Sequence, residues 1–311
     1  MVTKFLKEAT LLSLPILAGT ALYSFSHRDT FPAPRITDNI SINEKLRFYK
    51  NTGPEPLDVL AVGSSMTLNN LSSTAVMEHF GNVRYMNFGA WGLGLGNTRQ
   101  LVLALQKRSG CNTVIICTNL MEFSTEIPTL PMDSAAIMRY LWQDNALVPY
   151  LREHEVTYYL RNMETNVIRL NDPTNYEYLK FDEHGGATLD VPPGLRAQDR
   201  WIKPPPPLDA MVDSTYAQVA GIGKELAAQK VHLIWVHSPF RQGALTPEVR
   251  ERVRVHLDRL RQILVPIGHV VLDAENQTWP DDLYSDYSHF NSAGAYRFTT
   301  ECLSQLSADL P

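Results

Sequence analysis

The amino-acid sequence predicts an α/β fold of three layers, with helices on both faces of a mostly parallel central sheet and a helical and hairpin insertion in its middle. Three observations predict it. Short, almost wholly apolar runs recur at Leu57–Val62, Thr113–Cys117 and Val231–Val236, the pattern of strands buried on both faces of a parallel sheet. Stretches with helical spacing of apolar residues stand between them, and strand–helix–strand alternation is the signature of a parallel sheet. The alternation lapses between residues 121 and 208 and then resumes, so the middle reads as an insertion into one domain.

The elements follow in order. Lys4 and Lys7 precede an apolar run from Ala9 to Phe25, which has the charged head and apolar body of a signal sequence. It is just long enough to cross a bilayer, which takes ~17–25 residues. Ser24-x-Ser26 is a poor cleavage site, so residues 1–26 read as a signal-anchor or a signal peptide; a buried helix is the bland alternative. Lysines on the N-terminal side would keep that end in the cytoplasm and the rest outside the inner membrane. Residues 27–56 carry Phe31-Pro32-Ala33-Pro34 and Asn51-Thr52-Gly53-Pro54 and read as a linker. The domain then spans 57–311. Leu57–Val62 is its first strand and Arg84–Phe88 its second, followed by the glycine-rich Gly89–Gly96. Thr98–Lys107 has helical spacing, and Thr113–Cys117 is the third strand.

The 121–208 insertion contains helical patterns at Asp133–Gln143 and Ala146–Met163, a hairpin-like Tyr176–Asp190 turning at Gly185-Gly186, and the cluster Pro204–Pro207, which suits neither a helix interior nor a central strand. It is expected over the carboxyl edge of the sheet, where α/β folds bind ligands. Leu208–Gln229 then reads as a helix, Val231–Val236 as a strand, Pro247–Leu264 as a helix, His269–Leu272 as a last strand and Ala293–Ser307 as a terminal helix.

Composition narrows the function. With 311 residues, 44% hydrophobic and 20% charged, the chain is an ordinary globular one. A net charge of −5 and the lack of a basic stripe argue against nucleic acid. The three cysteines, Cys111, Cys117 and Cys302, have no metal-like spacing. No metal and no cofactor are expected.

Four pieces carry chemistry. In Tyr284-Ser285-Asp286-Tyr287-Ser288-His289, an aspartate three residues before a histidine can set a carboxylate against an imidazole and stabilise the imidazolium of a general base. Such a pair also arises by chance on surfaces. In Gly63-Ser64-Ser65-Met66, right after the first strand, a serine can stand at a helix N-terminus as a nucleophile; it can equally be a cap. Asn87-Phe88-Gly89-Ala90-Trp91-Gly92 places glycines after a strand, where a ligand can approach the backbone; a plain turn is the alternative. Asn119, ending the third strand, can donate its amide to an oxyanion or cap a helix.

Ser, Gly, Asn and His in this order, each beyond a strand-like run or in the last loop, resemble the SGNH (GDSL-like) hydrolase family from about Leu57 to Leu303, outside 121–208. The resemblance implies a flavodoxin-like SGNH fold, Ser65 as nucleophile, His289 and Asp286 as the rest of a catalytic triad, and an oxyanion hole from Ser65, Gly92 and Asn119. Ser64 replaces the aspartate of the usual G-D-S, Thr118 the glycine before the asparagine, and Leu120 an aspartate often found after it. The implied activity is a serine-dependent acyl-ester hydrolase or O-acyltransferase. The anchor adds a resemblance to membrane-tethered members of polysaccharide O-acylation systems, implying acyl (acetyl) groups on a cell-envelope or extracellular polysaccharide, or a small ester, and a membrane-bound acyltransferase as partner. Trp91 is a candidate to stack on a sugar, and His237, ending the fourth strand, to line the pocket. The competing reading is a non-catalytic protein of the same fold that binds glycan or a membrane partner.

Overall fold

The computed structural model describes residues 2–27, 32–52, 56–123, 130–145, 147–153, 155–191 and 211–306. The cluster Pro204–Pro207 lies outside them. Five strands form one parallel sheet: β1 (Val59–Gly63), β2 (Tyr85–Gly89), β3 (Thr113–Thr118), β4 (His232–His237) and β5 (Val270–Asp273), in the order β2-β1-β3-β4-β5. Chain progression reverses direction between β1 and β3, so the carboxyl ends of these two strands form the switch point at which open α/β sheets bind ligands.

Each strand divides its side chains between two cores, because successive residues point to opposite faces. Leu60, Val62, Val114, Ile116, Leu233 and Trp235 face one core, and Val59, Ala61, Ile115, Cys117, Ile234 and Val236 the other. The first is covered by helices α2 (Ile40–Thr52), α5 (Leu95–Ser109), α6 (Ser134–Trp142) and α9 (Asp213–Ala228), and by the end of α10 (Pro247–Leu264). The second is covered by α3 (Ser65–Asn70), α4 (Ser73–Phe80) and α11 (Ser292–Leu303). This is the three-layer α/β/α arrangement expected.

Two expectations are corrected. The 27–56 linker contains helix α2, whose Ile42, Leu46 and Tyr49 are buried in the first core. Each such side chain contributes roughly 1.5–3 kcal/mol by burial, so α2 belongs to the domain. The mixed face Ile40–Thr52 (ISINEKLRFYKNT) hid this, since Asn43, Glu44 and Lys45 are also buried. The hairpin at Tyr176–Asp190 is a turn without strands among the described residues. Its backbone bonds the body instead: Asn87 N–H to the His184 carbonyl (2.7 Å) and Ala187 N–H to the Leu68 carbonyl (3.1 Å). The Lys45 ammonium, fully buried, donates to the Gly185 carbonyl and sits 3.8 Å from the centre of the Phe181 ring.

The expected helix at 146–163 is two, α7 (Val148–Glu153) and α8 (Val156–Asn171). The N-terminal helix α1 (Val2–Ser26) is long and apolar enough to cross a membrane by length and composition.

Candidate active site

The site grows from the switch point. β1 and β3 pair only from Val59↔Thr113 to Ala61↔Ile115. Beyond that the strands part, and the Thr67 hydroxyl takes over the ladder: it accepts from Cys117 N–H and donates to the Cys117 carbonyl, both at 3.0 Å. Helix α3 is thereby wedged between the strand ends, with Ser65 as its first residue. The Ser64 side chain caps it, accepting from Met66 N–H at 3.1 Å. Gly89 permits the close packing of α3 on β2, since a Cβ there would meet Leu68 N at 2.4 Å.

The loop Tyr284–Asn291 brings the other two groups. The Ser65 hydroxyl lies 2.9 Å from His289 Nε2, and His289 Nδ1 lies 2.7 Å from Asp286 Oδ2. Asp286 Oδ1 accepts from the backbone N–H groups of Ser288 and His289, each at 2.7 Å, and Oδ2 also accepts from the Tyr176 hydroxyl. Burial pushes this carboxyl up, but the facing His289 and the hydrogen bonds from His289, Tyr176 and Ser288 outweigh it and hold it at about 2. With Asp286 ionised, Nδ1 carries a proton and Nε2 is the lone-pair nitrogen facing Ser65.

Asn70 fixes this loop to α3. Fully buried, it donates to Ser238 Oγ (2.7 Å) and the Ser288 carbonyl (2.9 Å), and accepts from Phe290 N–H (3.0 Å). Leaving buried partners unpaired costs ~1–3 kcal/mol each. Asn70→Ala should therefore lower stability by about 3 kcal/mol, read as a fall in the urea midpoint. An unchanged midpoint would show that the loop is held otherwise.

Glu122 closes the site from below. It accepts from Asn119 N–H (2.9 Å) and from the Ser64 hydroxyl. Burial raises its carboxyl to about 7, against the opposing pull of Ser64, the Asn119 N–H and His289. A raised carboxyl favours the protonated folded state, so stability should fall as pH rises from 4.5 through about 7. Glu122→Gln should flatten the melting temperature across that window; an unaltered pH profile would contradict it.

A cavity of about 200 Å³ opens at Ser65 and His289, bounded also by Asn69, Trp91, Tyr176, Glu177 and Leu189. Of the residues singled out in the sequence, Ser65, His289 and Trp91 border this cavity, and Asp286 stands behind His289. Trp91 is held by Asn39 Nδ2 on its carbonyl (2.6 Å) and by Ser41 Oγ accepting its N–H (2.8 Å). With that carbonyl turned to Asn39, the trans peptide aims the Gly92 N–H the opposite way. Gly92 has φ +63°, a backbone that favours glycine. Gly92 and Asn119 are not among the residues bounding the cavity: the Asn119 amide lies on Met66 Sδ at 3.2 Å and its oxygen accepts from Met121 N–H at 2.9 Å.

His237 does not line the pocket. It is wholly buried, its ring centre 5.3 Å from that of His256 and its Nε2 3.3 Å from Glu275 Oε1. It is not among the residues bounding the Ser65 cavity. Tyr176 and Glu177 were not legible in the sequence: nothing in the local pattern of the insertion marks them, and only its folding over the sheet edge brings them in.

No family model matches the chain, and no curated protein matches it. Among solved structures, the chain is similar to an acetylxylan esterase of Geobacillus stearothermophilus, at 12% identity over 81% of this chain and 96% of that one (TM-score 0.43). It is similar to LAE5, an alpha/beta hydrolase from the metagenome of Lake Arreo, at 13% identity over 81% and 98% (TM-score 0.42). A third is described as a lipolytic protein of the G-D-S-L family from Desulfitobacterium hafniense, at 11% identity over 79% and 97% (TM-score 0.40).

Proposed function

We propose that this chain is a serine-dependent acyl-ester hydrolase of SGNH type, in which Ser65 is the nucleophile, His289 the general base and Asp286 its orienting carboxylate. One observation carries the reading: a hydroxyl, an imidazole and a carboxylate from chain-distant segments stand in hydrogen-bonded line at 2.9 and 2.7 Å, at the mouth of a cavity. His289 Nε2 takes the Ser65 proton as Oγ attacks the ester carbonyl. The imidazolium then protonates the departing alkoxide, leaving an acyl-Ser65. Water, deprotonated by His289, releases the acid; a sugar hydroxyl in its place gives transfer. The backbone N–H of Ser65, at the start of α3, is the donor at hand for the oxyanion; Gly92 and Asn119, which do not border the cavity, would have to turn toward it to add theirs.

The substrate reading follows from the cavity. At about 200 Å³ it falls below the ~300–1,000 Å³ of usual ligand pockets, which suits an acetyl-sized acyl group. Trp91 offers a face for a sugar ring and Glu177 an acceptor for hydroxyls, supporting a carbohydrate ester. Helix α1 supports a membrane anchor; the reading sets the domain at the outer face of the inner membrane, acting on envelope or extracellular polysaccharide with a membrane-bound acyltransferase as partner.

A fluorophosphonate should form an adduct mapped by mass spectrometry to Ser65, and short-chain esters should turn over faster than long-chain ones. Absence of both adduct and turnover would remove the esterase assignment, and a preference for long chains would remove the acetyl-sized one.

A further inference from the structure

Helix α8 is amphipathic the wrong way round for a soluble domain. Its apolar residues Val156, Leu160, Met163 and Val167 follow helical spacing and are 65%, 64%, 61% and 54% exposed. Its polar side packs on the body: the Tyr158 hydroxyl accepts from Asn43 Nδ2 (3.3 Å), the Tyr159 hydroxyl from Arg35 N–H (3.0 Å), and Arg169 Nε donates to Glu177 at 2.8 Å. Between α8 and α2 runs an open groove of about 870 Å³, with Phe48, Leu160, Met163, Val167 and Phe181 among its walls. An exposed stripe of this kind marks a surface that meets an apolar partner.

Chain connectivity says which partner. Pro32 and Ala33 border the same groove, and α1, the membrane-length helix, ends at Ser26. The five peptide links from His27 to Pro32 span at most about 18 Å. Pro32, at the edge of the groove that the α8 stripe also borders, is therefore tied within about that distance of the end of α1. We infer that α8 lies on the bilayer, its apolar stripe set into the boundary between headgroups and acyl chains, as amphipathic interfacial helices do. The inference rests on reading α1 as a membrane anchor. It also bears on the Ser65 site. Tyr176 and Glu177, walls of the Ser65 cavity, follow α8 directly, and Arg169 of α8 bonds Glu177. The segment that follows the lipid-docked helix thus supplies one wall of the cavity, and the docking would hold that wall near the membrane surface.

The test uses the full chain in phosphatidylcholine vesicles that contain lipids with a doxyl quencher near the headgroup, which reports on position 163, or deep in the acyl chain, which reports on position 14 at the middle of α1. The native cysteines are buried, so an NBD label goes to an introduced one. Met163→Cys-NBD should emit at shorter wavelength than in buffer and be quenched about twofold by the doxyl lipid. Leu14→Cys-NBD in α1 should also be quenched, and Arg254→Cys-NBD on α10 should not. Quenching at 14 without quenching at 163 would overturn the docking while leaving the anchor intact. No quenching at 14 would remove the anchor reading and the docking with it. A label at 163 shielded from both doxyl lipid and aqueous iodide would mean that a second copy covers the stripe, which also overturns the inference.

Discussion

Ser65→Ala is expected to reduce kcat for p-nitrophenyl acetate by on the order of 10⁶-fold, the scale seen when the nucleophile of a serine triad is removed. The folded state should scarcely change. Ser65 is the first residue of α3 and its cap is the side chain of Ser64, so alanine keeps the helix start. Ser64→Ala makes the complementary comparison. It removes the cap on Met66 N–H and the hydroxyl on Glu122, costing ~1 kcal/mol of stability while leaving the nucleophile in place. Side-by-side kinetics and melts of the two variants separate chemistry from structure. Equal activity loss in both, or retained turnover in Ser65→Ala, would remove Ser65 from the reaction.

Asp286→Asn should lower kcat by on the order of 10⁴-fold, through the histidine tautomer. The oxygen of the introduced amide would keep the two backbone donors, Ser288 and His289 N–H, that now bind Asp286 Oδ1. Its NH₂ would then face His289 Nδ1, forcing the ring proton onto Nε2, where it cannot accept from Ser65. The same substitution has a signature in stability. A carboxyl lowered from 3.8 to about 2 stabilises the fold above 3.8, and this is lost as pH falls toward about 2. Asp286→Asn should therefore be less stable than the parent near neutrality and converge on it below that window. Melting temperatures against pH check this, and parallel curves would contradict it.

Much of the molecule was legible without coordinates. The apolar strands were written in local composition, and the five-stranded parallel sheet followed from their alternation with helices. Ser65, Asp286 and His289 could be singled out because each sits at a strand end or in a loop before a helix, where the residue type suggests the chemistry. Helix α2 was missed because its buried face carries Asn43, Glu44 and Lys45, and no periodicity rule distinguishes a satisfied buried lysine from an exposed one.

The sequence by itself determined the order of the five strands and which side chains carry reactive groups, since these depend on hydrophobic period and residue chemistry within a few neighbours. Tertiary structure alone decided which groups meet. The Tyr176 hydroxyl on Asp286, the Asn70 clamp, the Thr67 hydroxyl standing in for a strand ladder and the seating of His237 beside Glu275, outside the pocket, all join residues far apart in the chain. Distances of that kind are set by how whole elements stack, and no local pattern encodes them.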